Sequence, residues 1–499
     1  MKNPFLITFF LAFSLILSSC GDKPGSNFQS SGTPPRTTPD YSAIVTPPNI
    51  APLNFTINEP GKAFWVKIKF VSGEEISIAS DDGKIRIPQK SWSSIIQKNT
   101  GKEYRIEVYV KNNDSEWVKY NDILNTIASE PIDPYLYYRL LYPGYESWAE
   151  LSINMRRLGD FSTRKIISNG VAEDNCVNCH SFNNGKTDDF LFHMRGSLGG
   201  TYFYAGNDFR KVTLKTKEMK NGAVYPRWHP SGRFVAFSTN KIIQRFHSAD
   251  NKKVEVSDLE SSLVLYDVGK NEMSELYVPD KEKYMDTYPE WSPDGTYIYF
   301  CRASQTGDTF DYKNIRYDLY RMSFNPSDKS TGMPEIVFDA GAINRSVAFP
   351  RISPDGRFLV FTLADYGCFP IWHKEADLWM LDLTDMKAGW CDLNSDFTDS
   401  YHSWSSNGRW IVFSSKRDDG LTARPYISYI DINGKASKPF ILPQADPDFY
   451  AGYLKSFNIP EFAVTEVRSD PGMMRKAASS EALQAKWQNR FVSTLSPQE

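Results

Sequence analysis

Four stretches of the chain repeat one pattern: YPRWHPSGRFVAFSTN (225–240), YPEWSPDGTYIYFCRAS (288–304), FPRISPDGRFLVFTLAD (349–365) and YHSWSSNGRWIVFSSKR (401–417). Each opens on an aromatic residue, enters a turn of Ser, Pro, Asp or Asn and Gly, and leaves it as a strand of alternating apolar side chains. Each copy is a β-hairpin. A second strand follows every hairpin, at SLVLYDV (262–268), DLYRMSF (318–324), DLWMLDL (377–383) and YISYIDI (426–432), and a third edge follows at SELYVP, PEIVFDA and KPFILP. Three to four short strands in fixed order are the content of a propeller blade, so the fold class is mainly β. Loop insertions, notably IIQRFHSADNKKVEVSDLE (242–260), account for a repeat longer than that of a WD-type blade. Weaker strand patterns lie before the first copy (190–216) and after the last (446–464). If strands from both ends complete one blade, the chain closes its own ring; six blades are expected over 196–465, with five as the alternative.

The repeats resemble the TolB-type propeller, whose signature is an aromatic residue or Pro, then Trp-Ser-Pro-Asp-Gly, then an alternating strand. Residues 291–295 match it fully, 353–356 keep Ser-Pro-Asp-Gly, 228–232 read Trp-His-Pro-Ser-Gly, and 404–408 read Trp-Ser-Ser-Asn-Gly. The resemblance covers about half the chain. It implies a fold and no activity, because one fold hosts unrelated functions.

Upstream, Lys2 precedes the apolar run FLITFFLAFSLIL (5–17), too short to span a membrane and suited to a signal peptide. The run ends in Leu-Ser-Ser-Cys20, which looks like a bacterial lipobox and implies cleavage after residue 19, lipid on Cys20, and a place on the periplasmic side of the inner or outer membrane. Residues 20–50, rich in Pro, Ser, Thr and Gly, read as a disordered tether. Period-2 runs over 51–128 predict a small β-sandwich-like domain. Aromatic and aliphatic residues at three-to-four spacing over 134–158 predict two short helices within a segment, 129–195, that carries the next motif. Residues 466–499 read as a polar helix or tail.

That motif is DNCVNCHSF (174–182), in which Cys176, Cys179 and His180 stand in Cys-x-x-Cys-His register. Haem c is attached outside the cytoplasmic membrane through two thioethers, with the following histidine as iron ligand, so an exported chain meets each local requirement. One covalent haem c is the expected cofactor. His193, Met194, Met155 and His229 are candidate distal ligands, His193 first; adjacent strand residues point to opposite faces, so His193 and Met194 do not both reach the iron. The alternatives are a Cys176–Cys179 disulfide or redox pair and a metal site; zinc lacks at least one ligand, and a thioredoxin-type pair lacks its α/β unit.

A net charge of −3 gives no basic field, which excludes nucleic acid as the expected partner. No Gly-x-Ser-x-Gly elbow, His-Glu-x-x-His helix or P-loop occurs. His373, His402, Arg417, Asp418 and Arg424 fall in or near loops at the channel ends, where structural roles are the first reading. The whole chain looks like exported propeller lipoproteins of Gram-negative bacteria that are often labelled cytochrome c-related. Two functions follow: an envelope-anchored haem protein in electron transfer, its propeller docking a protein partner, or a non-haem propeller scaffold.

Overall fold

In a computed structural model of the chain, the described residues are 23–489 without 146–149, 172–174, 220, 248–251, 277–279, 281, 306–310 and 469. Cys20 and the apolar leader lie outside them.

Each Ser-Pro-Asp-Gly turn is held by its own side chains. Ser292 Oγ donates to Asp294 Oδ1 (2.5 Å) and accepts from the Tyr297 N–H (2.9 Å); Ser353, Asp355 and Phe358, and Ser405, Asn407 and Trp410, repeat the arrangement. Gly295 has φ +74°, and a Cβ there would sit 2.3 Å from His229 Nε2, so only glycine fits the close approach of neighbouring turns. His229 bonds Ser231 Oγ and the Gly295 carbonyl, a turn clamp and no iron ligand.

These hairpins build six four-stranded antiparallel sheets in ring order. The inner strands are Cys176–Asn183, Ala223–Trp228, Tyr284–Trp291, Ser346–Ile352, Asp399–Trp404 and Ser456–Ala463, each packed on the next. The last belongs to blade 1, whose other strands come from the opposite end of the propeller: Tyr135–Leu141, Ser152–Arg157 and Thr163–Ser168. This pairing closes the ring.

Two expectations fail here. The segment 129–195 is not helical: it supplies three strands of blade 1 and the first hairpin of blade 2, so the propeller starts near 135 rather than 196. Blades pack on both faces, so Leu136, Tyr137 and Tyr138 are all buried in succession. Period-2 alternation is lost and the run imitates a helical stripe.

The N-terminal region has a seven-stranded sheet, a three-stranded sheet and a helix, α1 (Gln89–Lys98), whose Trp92 and Ile96 are buried. The tether is a correction as well. Residues 29–30 and 45–46 add parallel edges to this sheet, and Tyr41, Ile44 and Ile50 enter the core. Three apolar anchors suffice to order a stretch whose average composition is that of a linker. The region docks on blade 6 through Asn54 to the Gln444 and Ala445 carbonyls, Lys84 to Asp448 (2.8 Å), and Trp410 Nε1 to the Glu130 carbonyl (3.1 Å).

After the closing strand, Asp470 caps α2 (Pro471–Ser479) by accepting from the Gly472 and Met473 N–H groups. Residues 483–484 and 486–487 then add parallel edges to blades 2 and 3.

Candidate functional site: the propeller channel

The six inner strands share a bulge at one level, where the pairing register slips by a residue. The residues at that level are Tyr225-Pro-Arg-Trp228, Tyr288-Pro-Glu-Trp291, Phe349-Pro-Arg-Ile352, Tyr401-His-Ser-Trp404, Ile459-Pro-Glu-Phe462 and Cys179-His-Ser-Phe182. The second half of CVNCHSF is thus blade 2's copy of the repeat, and His180 stands where blade 6 has His402.

Each position of this four-residue unit has its own place in the channel. At the first, Tyr225, Tyr288, Phe349, Tyr401 and Ile459 adopt positive φ, and the four rings pack edge to face or tilted, with neighbouring centroids 4.3–4.6 Å apart. They plug the channel. Beyond the plug, the long hairpin of blade 3 (Phe234–Phe246 and Val254–Asp267) covers the far end: Val254 and Val256 share a core with the plug, Ile371 and Trp372. Its Lys252 reaches Tyr366 (2.8 Å) and His373 (3.2 Å) on blade 5, and Tyr366 donates to Glu255 (2.8 Å).

At the fourth position, Trp228, Trp291, Ile352, Trp404, Phe462 and Phe182 form an apolar collar around a blind cavity of about 310 Å³. It opens where the inner strands enter their turns, with Pro230, Pro293, Pro354 and Asp133 at the rim. Two collar residues also staple blades, since Trp291 Nε1 donates to the Arg227 carbonyl and Trp404 Nε1 to that of Arg351, each at 3.1 Å.

The third position supplies the floor: Arg227, Glu290, Arg351, Ser403 and Glu461. Arg227 grips Glu290 bidentately, Nε to Oε2 at 2.5 Å and Nη2 to Oε1 at 3.0 Å. Arg351 Nη1 reaches Glu290 Oε2 at 3.3 Å and the Pro350 carbonyl at 2.7 Å. Burial lifts the Glu461 carboxyl to about 7 against the opposing pull of Arg227 and Arg351. Burial, helped by Arg227, lowers Arg351 to about 10. Sequence reading missed this floor. Its signal was present as the one polar slot that changes from copy to copy, Arg, Glu, Arg, Ser, Glu, in an otherwise apolar phrase.

At the second position lie the prolines and the two histidines. His402 Nε2 bonds the Val360 carbonyl at 2.8 Å. His180 is buried, and neither ring nitrogen makes a hydrogen bond of good geometry among the described residues; the Ile459 backbone is the polar group that favours its proton, and its Nε2 stands 4.0 Å from Glu461, too far for a bond. Burial pushes both imidazoles down to about 3, with Arg139 adding to the effect at His180, so both are neutral.

The haem residues are only partly brought together. Cys176 is a free thiol on the same strand as His180, and the Cys179 side chain lies outside the described residues. His193 is engaged at both nitrogens, by Thr201 Oγ1 (2.8 Å) and the Ala223 carbonyl, and pairs with Asn178 across the hairpin. Met194 is buried in the core between blades 1 and 2, and Met155 with it. The cavity against His180 measures about 30 Å³, space for one water and not for a porphyrin. A haem does not fit these residues as the strand places them, although an unbonded ring nitrogen is what an axial ligand would offer. The remaining loop candidates are structural: Arg417 pairs with Asp399 (3.0 Å), Asp418 accepts from Tyr426, Arg424 donates to the Tyr453 and Lys455 carbonyls, and His373 bonds Glu375 (2.9 Å).

No family model matches the chain, and no curated protein matches it in sequence. Among solved structures it is similar to TolB from Acinetobacter baumannii (TM-score 0.42, 12% identity, 76% of this chain and 86% of that one). It is similar also to a hypothetical selenium-binding protein from Sulfolobus tokodaii (0.38, 11%, 83% and 96%) and to a chain of a nidogen/laminin complex (0.38, 8%, 66% and 100%). Likenesses this distant carry no functional argument, and the propeller is established by its own strand order.

Proposed function

We propose that the chain is a β-propeller interaction scaffold of the cell envelope, held at a membrane surface by lipid on Cys20, which receives a protein partner at the open end of its channel. The observation that carries this reading is the asymmetry of the channel: one end is closed by a hairpin and an aromatic plug, while the other is a blind funnel with an apolar collar and a charged floor. A concave site in which apolar rings surround convergent polar groups is the usual form of a ligand pocket. A photo-crosslinking amino acid at Pro293 on the rim, introduced in the native host, tests it. Discrete adducts at Pro293 and none from the same residue at Met333 on the outer edge of blade 4 are expected; equal labelling at both, or none, contradicts the reading.

The rival is a c-type haem stitched to Cys176 and Cys179 with His180 as axial ligand. It draws on an unbonded ring nitrogen of His180 and requires the inner strand of blade 2 to open. When bound, the group would supply one-electron chemistry. Co-expression with cytochrome maturation machinery separates the two: a covalent haem keeps its absorbance after denaturation, whereas a scaffold is colourless.

A further inference from the structure

We propose that the funnel captures the C-terminal carboxylate of a partner polypeptide ending in an apolar residue, with Arg351 as its recognition group; this rests on the scaffold reading above. The unbonded edge of the Arg351 guanidinium is what points to a carboxylate. Arg227 grips Glu290 bidentately and lies 3.7 Å from Glu461, which also accepts from the Phe182 N–H, whereas Arg351 touches Glu290 through Nη1 alone, at 3.3 Å. Among the described residues its Nε and Nη2 have no hydrogen-bond acceptor, and its side chain lines the cavity. A guanidinium so placed offers two parallel N–H groups, the geometry that matches a carboxylate and that a lysine cannot copy.

The walls define the rest of the ligand. Between the Arg351 floor and the proline rim the lining combines Trp228, Trp291, Ile352 and Trp404 with Ser292, Ser403 and Ser405, and the group that packs on the three indoles is apolar and loses water on entry. A cavity of about 310 Å³ is at the lower end of small-ligand sites, and it is open at the mouth. It takes a terminal residue and lets the preceding chain leave past Pro293 and Pro354. Terminal-carboxylate capture is a recurrent mode of peptide recognition, and here side-chain donors replace a backbone nest.

The test is calorimetric titration of the full chain with acetyl-Gly-Ser-Gly-Ser-X peptides, X being Leu, Val, Phe, Trp or Gly, each as free acid and as C-terminal amide. Apolar-terminated acids are expected to bind about tenfold or more tightly than their amides and than the Gly acid, since a charge-assisted bond and an apolar contact are each worth that much. Arg351→Gln is expected to bring acids down to the level of amides, and Arg351→Lys to restore only part of the difference. Acid and amide binding alike, or no binding by any peptide, overturns the proposal, and neither result depends on a variant that folds. Equal binding of 3-phenylpropionate and the Phe peptide overturns the polypeptide assignment. Rim adducts at Pro293 together with acid–amide indifference would sink this inference while leaving the scaffold reading in place; loss of the adducts would sink both.

Discussion

Blades 2 and 6 place a histidine at the same point of the inner strand, in Cys179-His-Ser-Phe182 and Tyr401-His-Ser-Trp404, and the two copies differ in everything around it. Blade 6 is tied in at three points: His402 Nε2 bonds the neighbouring blade, Ser405 and Asn407 hold the turn, and Trp410 is buried against the N-terminal region. Blade 2 keeps the bulge but has Asn183-Asn184-Gly185 for a turn, Thr187 bonded to Thr465 of the chain beyond the closing strand, and a histidine with no hydrogen bond of good geometry. The lesson is that a repeat position is defined by its place in the ring. The residues that fill it are free to vary once neighbouring blades support the strand, and one such variant spells a haem motif.

The comparison can be pressed with four measurements. Trp410→Ala removes a fully buried indole of blade 6 and its bond to the Glu130 carbonyl, and denaturant unfolding should show a loss of about 3–5 kcal/mol. The second is a pH profile. The folded state keeps His180 and His402 near 3 while the unfolded values are ordinary, so the unfolded chain binds more protons between about 3 and 6.5 and stability rises with pH there. Glu461, raised to about 7, has the opposite sign: the folded chain holds the extra proton, and stability falls as pH rises from about 4.5 to 7. Glu461→Gln removes the opposing contribution, so the rise should steepen by up to about 1.4 kcal/mol per pH unit in that window. An unchanged profile would mean that Glu461 is ionised throughout.

The two histidines give the remaining pair. His402→Ala breaks a buried bond and opens a cavity, at a cost of about 1–3 kcal/mol. His180→Phe replaces a buried ring without a well-formed hydrogen bond by an apolar one and should stay within about 1 kcal/mol of the parent, by the same unfolding assay. A loss at position 180 as large as that at 402 would show that the blade 2 histidine is bonded as firmly as that of blade 6.

What was legible in the chain follows from the same contrast. The four regular copies announce the propeller because Trp-Ser-Pro-Asp-Gly turns are local chemistry: hydroxyl, carboxylate and left-handed glycine act within five residues. Closure by both ends was readable as a possibility from Ile459-Pro-Glu-Phe462, which copies Tyr288-Pro-Glu-Trp291. The strands at 135–168 and the inner strand of blade 2 were hidden. They are buried on both faces, so Tyr137 and Phe182 cluster with Phe190 without alternation. A five-residue cofactor signature also masked an alignment of Cys-His-Ser-Phe with Tyr-His-Ser-Trp. The floor of the funnel showed only as a variable polar slot in the repeat, because Arg227, Glu290, Arg351 and Glu461 are far apart in sequence and only the ring brings them within 2.5–3.7 Å.

The central claim is that CVNCHSF is an inner strand of the propeller, paired with Lys186–Arg195 and lining the channel. Amide hydrogen exchange read by peptide-resolved mass spectrometry tests it most directly, on the chain purified after co-expression with haem-attachment machinery. The account predicts that amides of 177–182 are protected as strongly as those of 399–404. Rapid exchange across 177–182 alongside a protected 399–404 would contradict it.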